Sequence, residues 1–93
     1  MAACQPWNYT SVTPEVFRAL QALARKEGFS LPDAAIGEFA IRRGGMSVGF
    51  KYTWDRGGGT LRLTCSKKPP LLSCGMVKGF ADQIVRQCGG RPM

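Results

Sequence analysis

The 93-residue sequence contains no histidine, and this absence bears on catalysis and on metal binding. Histidine is the usual general base near neutral pH and the commonest metal ligand. The cysteines, which are Cys4, Cys65, Cys74 and Cys88, form no Cys-x-x-Cys pair of the kind that zinc sites show. We therefore expect no metal site, no cofactor and no Cys-His nucleophile.

Carboxylates are also scarce, because the chain has 6 acidic residues against 13 basic ones. The acidic residues are Glu15, Glu27, Asp33, Glu38, Asp55 and Asp82. No two of them have a spacing that suggests acid–base catalysis or metal binding. We therefore expect a protein without enzymatic activity.

Long apolar runs are absent as well. No stretch approaches the roughly 18 residues that a membrane span requires. The segment Met1–Trp7 has neither a basic start nor an apolar core, so it does not resemble a signal peptide. We expect a cytoplasmic protein without membrane partners, in which disulfides do not form and Cys65 and Cys88 act as small hydrophobic residues.

The formal net charge of +7 is the compositional feature that bears on partners. A positive surface favours polyanions, such as nucleic acid or an acidic protein surface. A charge of this size also keeps a small domain soluble without any such partner. Both interpretations remain open from composition alone.

A β-hairpin is predicted for residues 46–66. Apolar side chains alternate with polar ones from Met46 to Trp54, and the alternation resumes from Leu61 to Cys65 after a Gly-rich turn at 57–59. Tyr52 can lie opposite Leu61 or opposite Leu63. The first register places Lys51 across from Arg62, and the second places it across from Thr64 but needs a longer loop.

Two helices flank the hairpin. Thr13-Pro14-Glu15 is a helix start with a hydroxyl N-cap, and Gly28 is suited to end a helix over 13–27. Ser73 is the N-cap expected for a second helix, whose apolar stripe runs from Met76 to Cys88 before Gly89-Gly90.

The remaining segments carry weaker signals. Residues 30–45 predict a short helical turn or loop followed by a short edge strand at 38–42. Residues 1–12 predict an irregular arm anchored by Trp7 and Tyr9, and residues 89–93 predict a loose end.

We therefore expect a single α+β domain over 1–93. A small antiparallel sheet, the hairpin plus a possible third edge strand, is covered on one face by two helices in the order α-(β)-β-β-α.

Three sets of candidate site residues follow from these patterns. Basic residues that could contact nucleic-acid phosphates are Arg42, Arg43, Lys51, Arg62, Lys67 and Lys68. Cys74 is a candidate reactive thiol, because a helix start lowers a thiol pKa. A small-ligand pocket between sheet and helices would use Tyr52, Trp54, Met76 and Phe80, although a hydrophobic core is the favoured interpretation of these four residues.

With 38–42 as a strand, the element order is similar to that of double-stranded-RNA-binding domains. These domains bind duplex shape and phosphates and carry basic residues at the start of their last helix, a cluster that Lys67-Lys68 resembles. Here Pro69-Pro70 and three further residues separate the lysines from the helix, and the histidine of the minor-groove loop is missing.

The segment from Met46 to Phe80 also resembles a loose group of small uncharacterised bacterial proteins, some of which travel on mobile gene cassettes. The similarity lies in Trp54-Asp55, Leu61-Arg62-Leu63-Thr64, Lys67-Lys68-Pro69 and Ser73-Cys74-Gly75. This resemblance implies a bacterial origin but no function.

A hairpin with at most one further strand leaves an exposed edge, and small domains gain stability by association. We therefore expect a non-catalytic interaction module that forms a homodimer across a strand edge or a helix face. The alternatives are a basic nucleic-acid-binding protein that uses the polar sheet face, and a protein that binds a small ligand between sheet and helices.

Overall fold

The structure, a computed structural model, describes residues 3–93 apart from the side chain of Arg43. The elements in chain order are β1 (Trp7–Thr10), α1 (Pro14–Glu27), β2 (Ile36–Arg43), β3 (Met46–Asp55), β4 (Thr60–Lys67), α2 (Cys74–Gln87) and β5 (Arg91–Pro92). The five strands form one antiparallel sheet in the order β2-β3-β4-β1-β5. The predicted α+β class is confirmed.

Both helices begin where their capping residues predict. The Thr13 Oγ1 accepts a hydrogen bond from the Val16 N–H at 3.3 Å, and the Ser73 Oγ accepts one from the Met76 N–H at 3.1 Å. Helix α1 ends at Gly28, whose φ of 92° lies in the left-handed region that favours glycine. Local capping chemistry therefore accounts for the start of both helices and for the end of α1.

The hairpin of β3 and β4 adopts the second of the two registers. Tyr52 lies opposite Leu63, and Lys51 lies opposite Thr64. This register avoids the like-charge pair of Lys51 with Arg62. The longer loop that it needs is stabilised by the Asp55 carboxylate, which accepts a hydrogen bond from the Gly58 N–H at 3.2 Å.

The predicted element order was incomplete, because the sheet has two further strands and the order is β-α-β-β-β-α-β. The expected irregular arm contains β1, which pairs with β4, and the expected loose end contains β5, which pairs with β1. Strands of four and two residues are too short to show a period-two pattern. The expected strand at 38–42 is also longer, since β2 spans Ile36–Arg43.

The hydrophobic core lies between the helices and one face of the sheet. The Trp54 ring stacks on the Phe17 ring of α1 with centroids 4.1 Å apart, and its indole N–H donates to the Val12 carbonyl at 2.8 Å. The other buried apolar residues include Tyr9, Leu20, Phe50, Tyr52, Leu61, Leu63, Cys65, Val77, Ala81 and Val85. Within the described residues 3–93, neither helix covers the opposite face of the sheet, where the side chains of Glu38, Lys51 and Arg62 are exposed.

A disulfide joins Cys4 to Cys74, which differs from the expectation that the cysteines stay unpaired. Their Cα atoms lie 5.8 Å apart although the residues are 70 apart in the sequence. Such a pairing is produced by tertiary structure, so spacing along the chain could not show it. The bond ties the segment before β1 to the first turn of α2.

Candidate functional site

The free edge of the sheet is the most distinctive exposed feature of the fold. Strand β2 pairs with β3 on one side and, within residues 3–93, with no strand on the other. It has eight residues and contains no proline. The opposite edge, β5, has two residues and includes Pro92, which has no N–H to donate. Strand β2 is therefore the edge that can accept another strand.

The hydrogen bonds of β2 show which backbone groups remain available. The Ala35 carbonyl accepts a hydrogen bond from the Trp54 N–H, at 2.6 Å, so residue 35 faces β3. Backbone direction alternates along an antiparallel strand, and the pairing of β2 with β3 is regular throughout. The N–H and C=O groups of Glu38, Ala40 and Arg42 therefore point outward from the sheet.

The side chains of these residues lie on the outer face of the sheet. Glu38 lies opposite Lys51 of β3, and their charged atoms are 3.7 Å apart. Both side chains are well exposed, at 71% for Glu38 and 63% for Lys51, so this ion pair contributes little to stability. Its importance is that it places an acidic group beside the free edge.

Half-buried apolar residues line the helix side of the same edge. The Phe39 ring of β2 stacks between the rings of Phe29 and Phe50, with centroid distances of 5.6 Å and 5.0 Å. Next to it lies an apolar groove with a volume of about 260 Å³. This groove is lined by Ile41, Met46, Val48, Phe50, Leu72, Met76, Val77 and Phe80. Apolar surface is thus incompletely covered along the β2–β3 side of the molecule.

The structure brings only part of the predicted phosphate-contacting set together. Arg42, Lys51 and Arg62 lie on the outer sheet face, opposite Ser47, Thr64 and Thr53 respectively. Lys67 lies at the end of β4, and Lys68 follows it. Arg43 is a β2 residue, but its side chain lies outside the described part of the structure. The acidic Glu38 and Asp55, which were left out of the predicted set, share the outer face with these cations.

The predicted ligand-pocket residues occupy different places. Tyr52 and Trp54 are core residues that are 3% and 7% exposed. The Tyr52 hydroxyl donates to the Ala34 carbonyl at 2.6 Å, and the Pro32 carbonyl lies 3.1 Å from the same hydroxyl oxygen. Met76 was expected on the buried stripe of α2 but is 60% exposed. It lines the apolar groove, which is open to solvent. Phe80 is half-buried and lines both that groove and a second, partly open cavity of about 60 Å³.

The predicted reactive thiol is bonded in this structure, because Cys74 forms the disulfide with Cys4. The other two cysteines, Cys65 and Cys88, are free. Burial raises the pKa of the Cys65 and Cys88 thiols, which disfavours the nucleophilic thiolate. Chemistry at Cys74 would first require reduction of the disulfide.

A polar cluster that the sequence did not reveal joins β1 to α2. The Tyr9 hydroxyl donates to the Asp82 Oδ1 at 2.8 Å, and the Lys78 Nζ lies 2.8 Å from the Asp82 Oδ2. Burial raises the pKa of Tyr9, and the bond to Asp82 raises it further. Burial alone would raise the pKa of Asp82, but the hydrogen bonds from Lys78 and Tyr9 and the charges of Lys78 and Arg86 together hold it below its usual value.

We expect this cluster to give the protein a pH-dependent stability. A carboxyl whose pKa is lower in the folded chain stabilises the fold above its unfolded pKa of about 3.9, and this contribution is lost as the pH falls through the folded pKa. Asp82→Asn should lower the free energy of unfolding by about 1–2 kcal/mol at pH 7. The difference from the wild type should shrink as the pH is lowered from about 5 to below 3.

Urea unfolding of both proteins at pH 7 and near pH 3 measures this difference. Asp33→Asn, in the exposed loop before β2, is the matched control and should stay close to the wild type at both pH values. A difference for Asp82→Asn that stays constant over this range would contradict the assignment.

Comparison with known proteins found no matching family model, no similar curated protein and no similar solved structure. Within residues 3–93, no helix is long and apolar enough to cross a membrane. In the same part of the chain, no cluster of three or more Cys, Asp or Glu side chains is arranged to hold a metal ion.

Proposed function

We propose that the protein is a non-catalytic interaction module that associates with a second copy of itself through the free edge of β2. The observation that supports this proposal is the edge itself. It presents eight residues without proline, and its outward N–H and C=O groups recur at every second residue. Such an edge binds another strand through backbone hydrogen bonds.

The apolar surface beside the edge supports the same proposal. A 93-residue domain has a small core, and apolar groups left at its margin gain stability when a partner covers them. Phe39 and Ile41 lie on β2 itself and are only partly buried. A second copy that extended the sheet would bring apolar side chains against them.

Light scattering over a range of concentrations tests the proposal. We expect a mass that rises from monomer to dimer with concentration. Ala40→Pro should remain monomeric, because proline removes an outward N–H at the centre of the edge while the bonds of Phe39 and Ile41 to β3 stay intact. Ala40→Ser, which keeps the N–H, is the matched control and should dimerise. A wild-type protein that stays monomeric at high micromolar concentration would refute the proposal.

A cytoplasmic location is part of this proposal. The cytoplasm keeps most thiols reduced, so Cys4 and Cys74 would there be present as a dithiol for part of the time. Neither cysteine belongs to β2, and we therefore expect self-association both with and without a reducing agent.

Nucleic-acid binding is the second candidate function, and the position of Lys51 and Arg62 favours it. Lys51 lies opposite Thr64 and Arg62 opposite Thr53, so the two cations are diagonal neighbours on adjacent strands of the exposed face. Phosphates could bind there by charge, while base stacking is excluded for Phe50, Tyr52 and Trp54 because these aromatic residues of β3 are buried in the core.

Binding to labelled RNA and DNA, in duplex and single-stranded form, tests this second candidate. Affinity that rests on phosphate contacts should fall by orders of magnitude between low and physiological salt. Lys51→Gln combined with Arg62→Gln should weaken binding further, whereas Arg18→Gln on the exposed side of α1 should not. Absence of binding at low salt would reject this function.

A further inference from the structure

Four residues of β2 have outward backbone groups, namely Ile36, Glu38, Ala40 and Arg42, and the last three place opposite charges on either side of Ala40. Glu38 lies two residues before Ala40 and Arg42 two residues after it, and all three have outward backbone groups. Their side chains share the outer face of the sheet. A strand with opposite charges placed symmetrically about a small residue is complementary to its own antiparallel copy.

The charges distinguish among the registers that two antiparallel β2 strands can adopt. A register centred on Glu38 places two carboxylates opposite each other, and one centred on Arg42 places two guanidinium groups opposite each other. In a register centred on Phe39, Glu38 lies opposite Ala40 and Arg42 lies opposite Ile36. In a register centred on Ile41, Arg42 lies opposite Ala40 and Glu38 lies opposite Gly44. The register centred on Ala40 pairs Glu38 with Arg42 of the second copy, twice, by symmetry.

We propose that two copies join their β2 edges in this register, with Ala40 on the twofold axis, to form one continuous ten-stranded antiparallel sheet. This inference rests on the proposed function and specifies its partner and its geometry. The outward N–H and C=O groups of Glu38, Ala40 and Arg42 then form the hydrogen bonds of the junction. Like charges meet in the registers centred on Glu38 and Arg42, so the same residues disfavour those pairings.

The other face of the junction fits this register. Side chains of Phe39 and Ile41 lie on the helix side, and the register places each Phe39 opposite Ile41 of the second copy. An aromatic ring opposite a β-branched side chain is a favourable cross-strand pair. On the outer face, Lys51 lies 3.7 Å from Glu38, so each carboxylate is flanked by Lys51 of its own chain and Arg42 of the other.

A charge-exchange experiment tests this register. Glu38→Arg gives a chain with two arginines at the paired positions, and Arg42→Glu gives a chain with two glutamates. Each variant alone should have its dimer dissociation constant raised by about tenfold to a hundredfold, because two attractive pairs become repulsive. An equimolar mixture should regain wild-type affinity, since every arginine then faces a glutamate. The double variant Glu38→Arg/Arg42→Glu should also dimerise.

Arg62→Glu is the matched control, because it makes the same charge change on the same face two strands away from the edge. It should dimerise like the wild type and should not rescue Glu38→Arg. Far-UV circular dichroism confirms that each chain is folded before mixing. If a charge reversal prevents folding, Glu38→Gln and Arg42→Gln replace the pair, and each should weaken the dimer equally because each removes the same two ion pairs.

The outcomes separate this inference from the proposed function. A monomeric wild-type protein overturns both. A dimer that persists in Glu38→Arg and in Arg42→Glu overturns the inference but leaves self-association standing. Variants that are monomeric both alone and when mixed support the edge as the contact but overturn the register. Rescue in the mixture, without rescue by Arg62→Glu, supports the register.

Discussion

Replacement of Trp54 by alanine should lower the free energy of unfolding by about 3–5 kcal/mol. The indole is 7% exposed, stacks on Phe17 of α1 and donates its N–H to the Val12 carbonyl. Truncation removes the stack, opens a cavity and leaves a buried carbonyl without its donor. Because small domains are stable by only about 5–15 kcal/mol, this loss takes a large part of the total.

Urea unfolding followed by far-UV circular dichroism measures the effect. Trp54→Phe is the matched control, since it keeps an aromatic ring against Phe17 and removes mainly the hydrogen bond to Val12. We expect it to cost about 1–3 kcal/mol. A loss below about 1.5 kcal/mol for Trp54→Ala would show that the residue does not organise the contact between α1 and the sheet.

Removal of the Cys4–Cys74 disulfide should have the second large effect. Closing a loop of 70 residues in the unfolded chain is worth about 4 kcal/mol on the chain-entropy account. Cys74→Ser, or reduction of the wild type, should therefore lower the free energy of unfolding by about that amount. The segment before β1 would also be released from the first turn of α2.

Urea unfolding with and without dithiothreitol measures this contribution. Cys88→Ser is the matched control, because Cys88 is free and only half-buried. It should lose little stability and should keep its sensitivity to the reductant. If oxidised wild-type protein and Cys74→Ser unfold at the same urea concentration, the disulfide is not a stabilising element of this fold.

Local chemistry made several parts of the fold predictable from the sequence. The caps at Thr13 and Ser73 mark the helix starts because side-chain oxygens there satisfy backbone N–H groups of the first turn. The alternation through β3 and β4 was sufficient to predict the hairpin. The sequence indicated that one register would avoid the repulsion between Lys51 and Arg62, and the structure adopts that register. The sequence did not indicate whether the longer loop of this register would cost more than the repulsion.

Features that depend on distant contacts could not be predicted. Tyr9 is fully buried because β1 inserts between β4 and β5, and four residues carry too little pattern to indicate this. The hydrogen bond from Tyr9 to Asp82 joins positions 73 residues apart, and the disulfide of Cys4 with Cys74 joins positions 70 residues apart. No local preference reports such contacts.

The candidate interaction surface was only partly visible from the sequence. An exposed edge was expected, and Arg42 was singled out for its charge. Glu38 was not considered for that surface, because its position beside Arg42 on the outward-facing residues of β2 depends on which backbone groups face β3. The length of β2 and its lack of any neighbour on one side, within the described residues, emerged only from the sheet order.

Amide hydrogen exchange within β2, measured by NMR at low and at high protein concentration, tests whether the β2 edge is the contact between two copies. The amides of Phe39 and Ile41 bond to β3 and should be protected at both concentrations. The amides of Glu38, Ala40 and Arg42 point outward, so they should exchange fast in the monomer and become protected as the dimer forms. Fast exchange at these three amides, at a concentration where light scattering shows a dimer, would contradict association through the β2 edge.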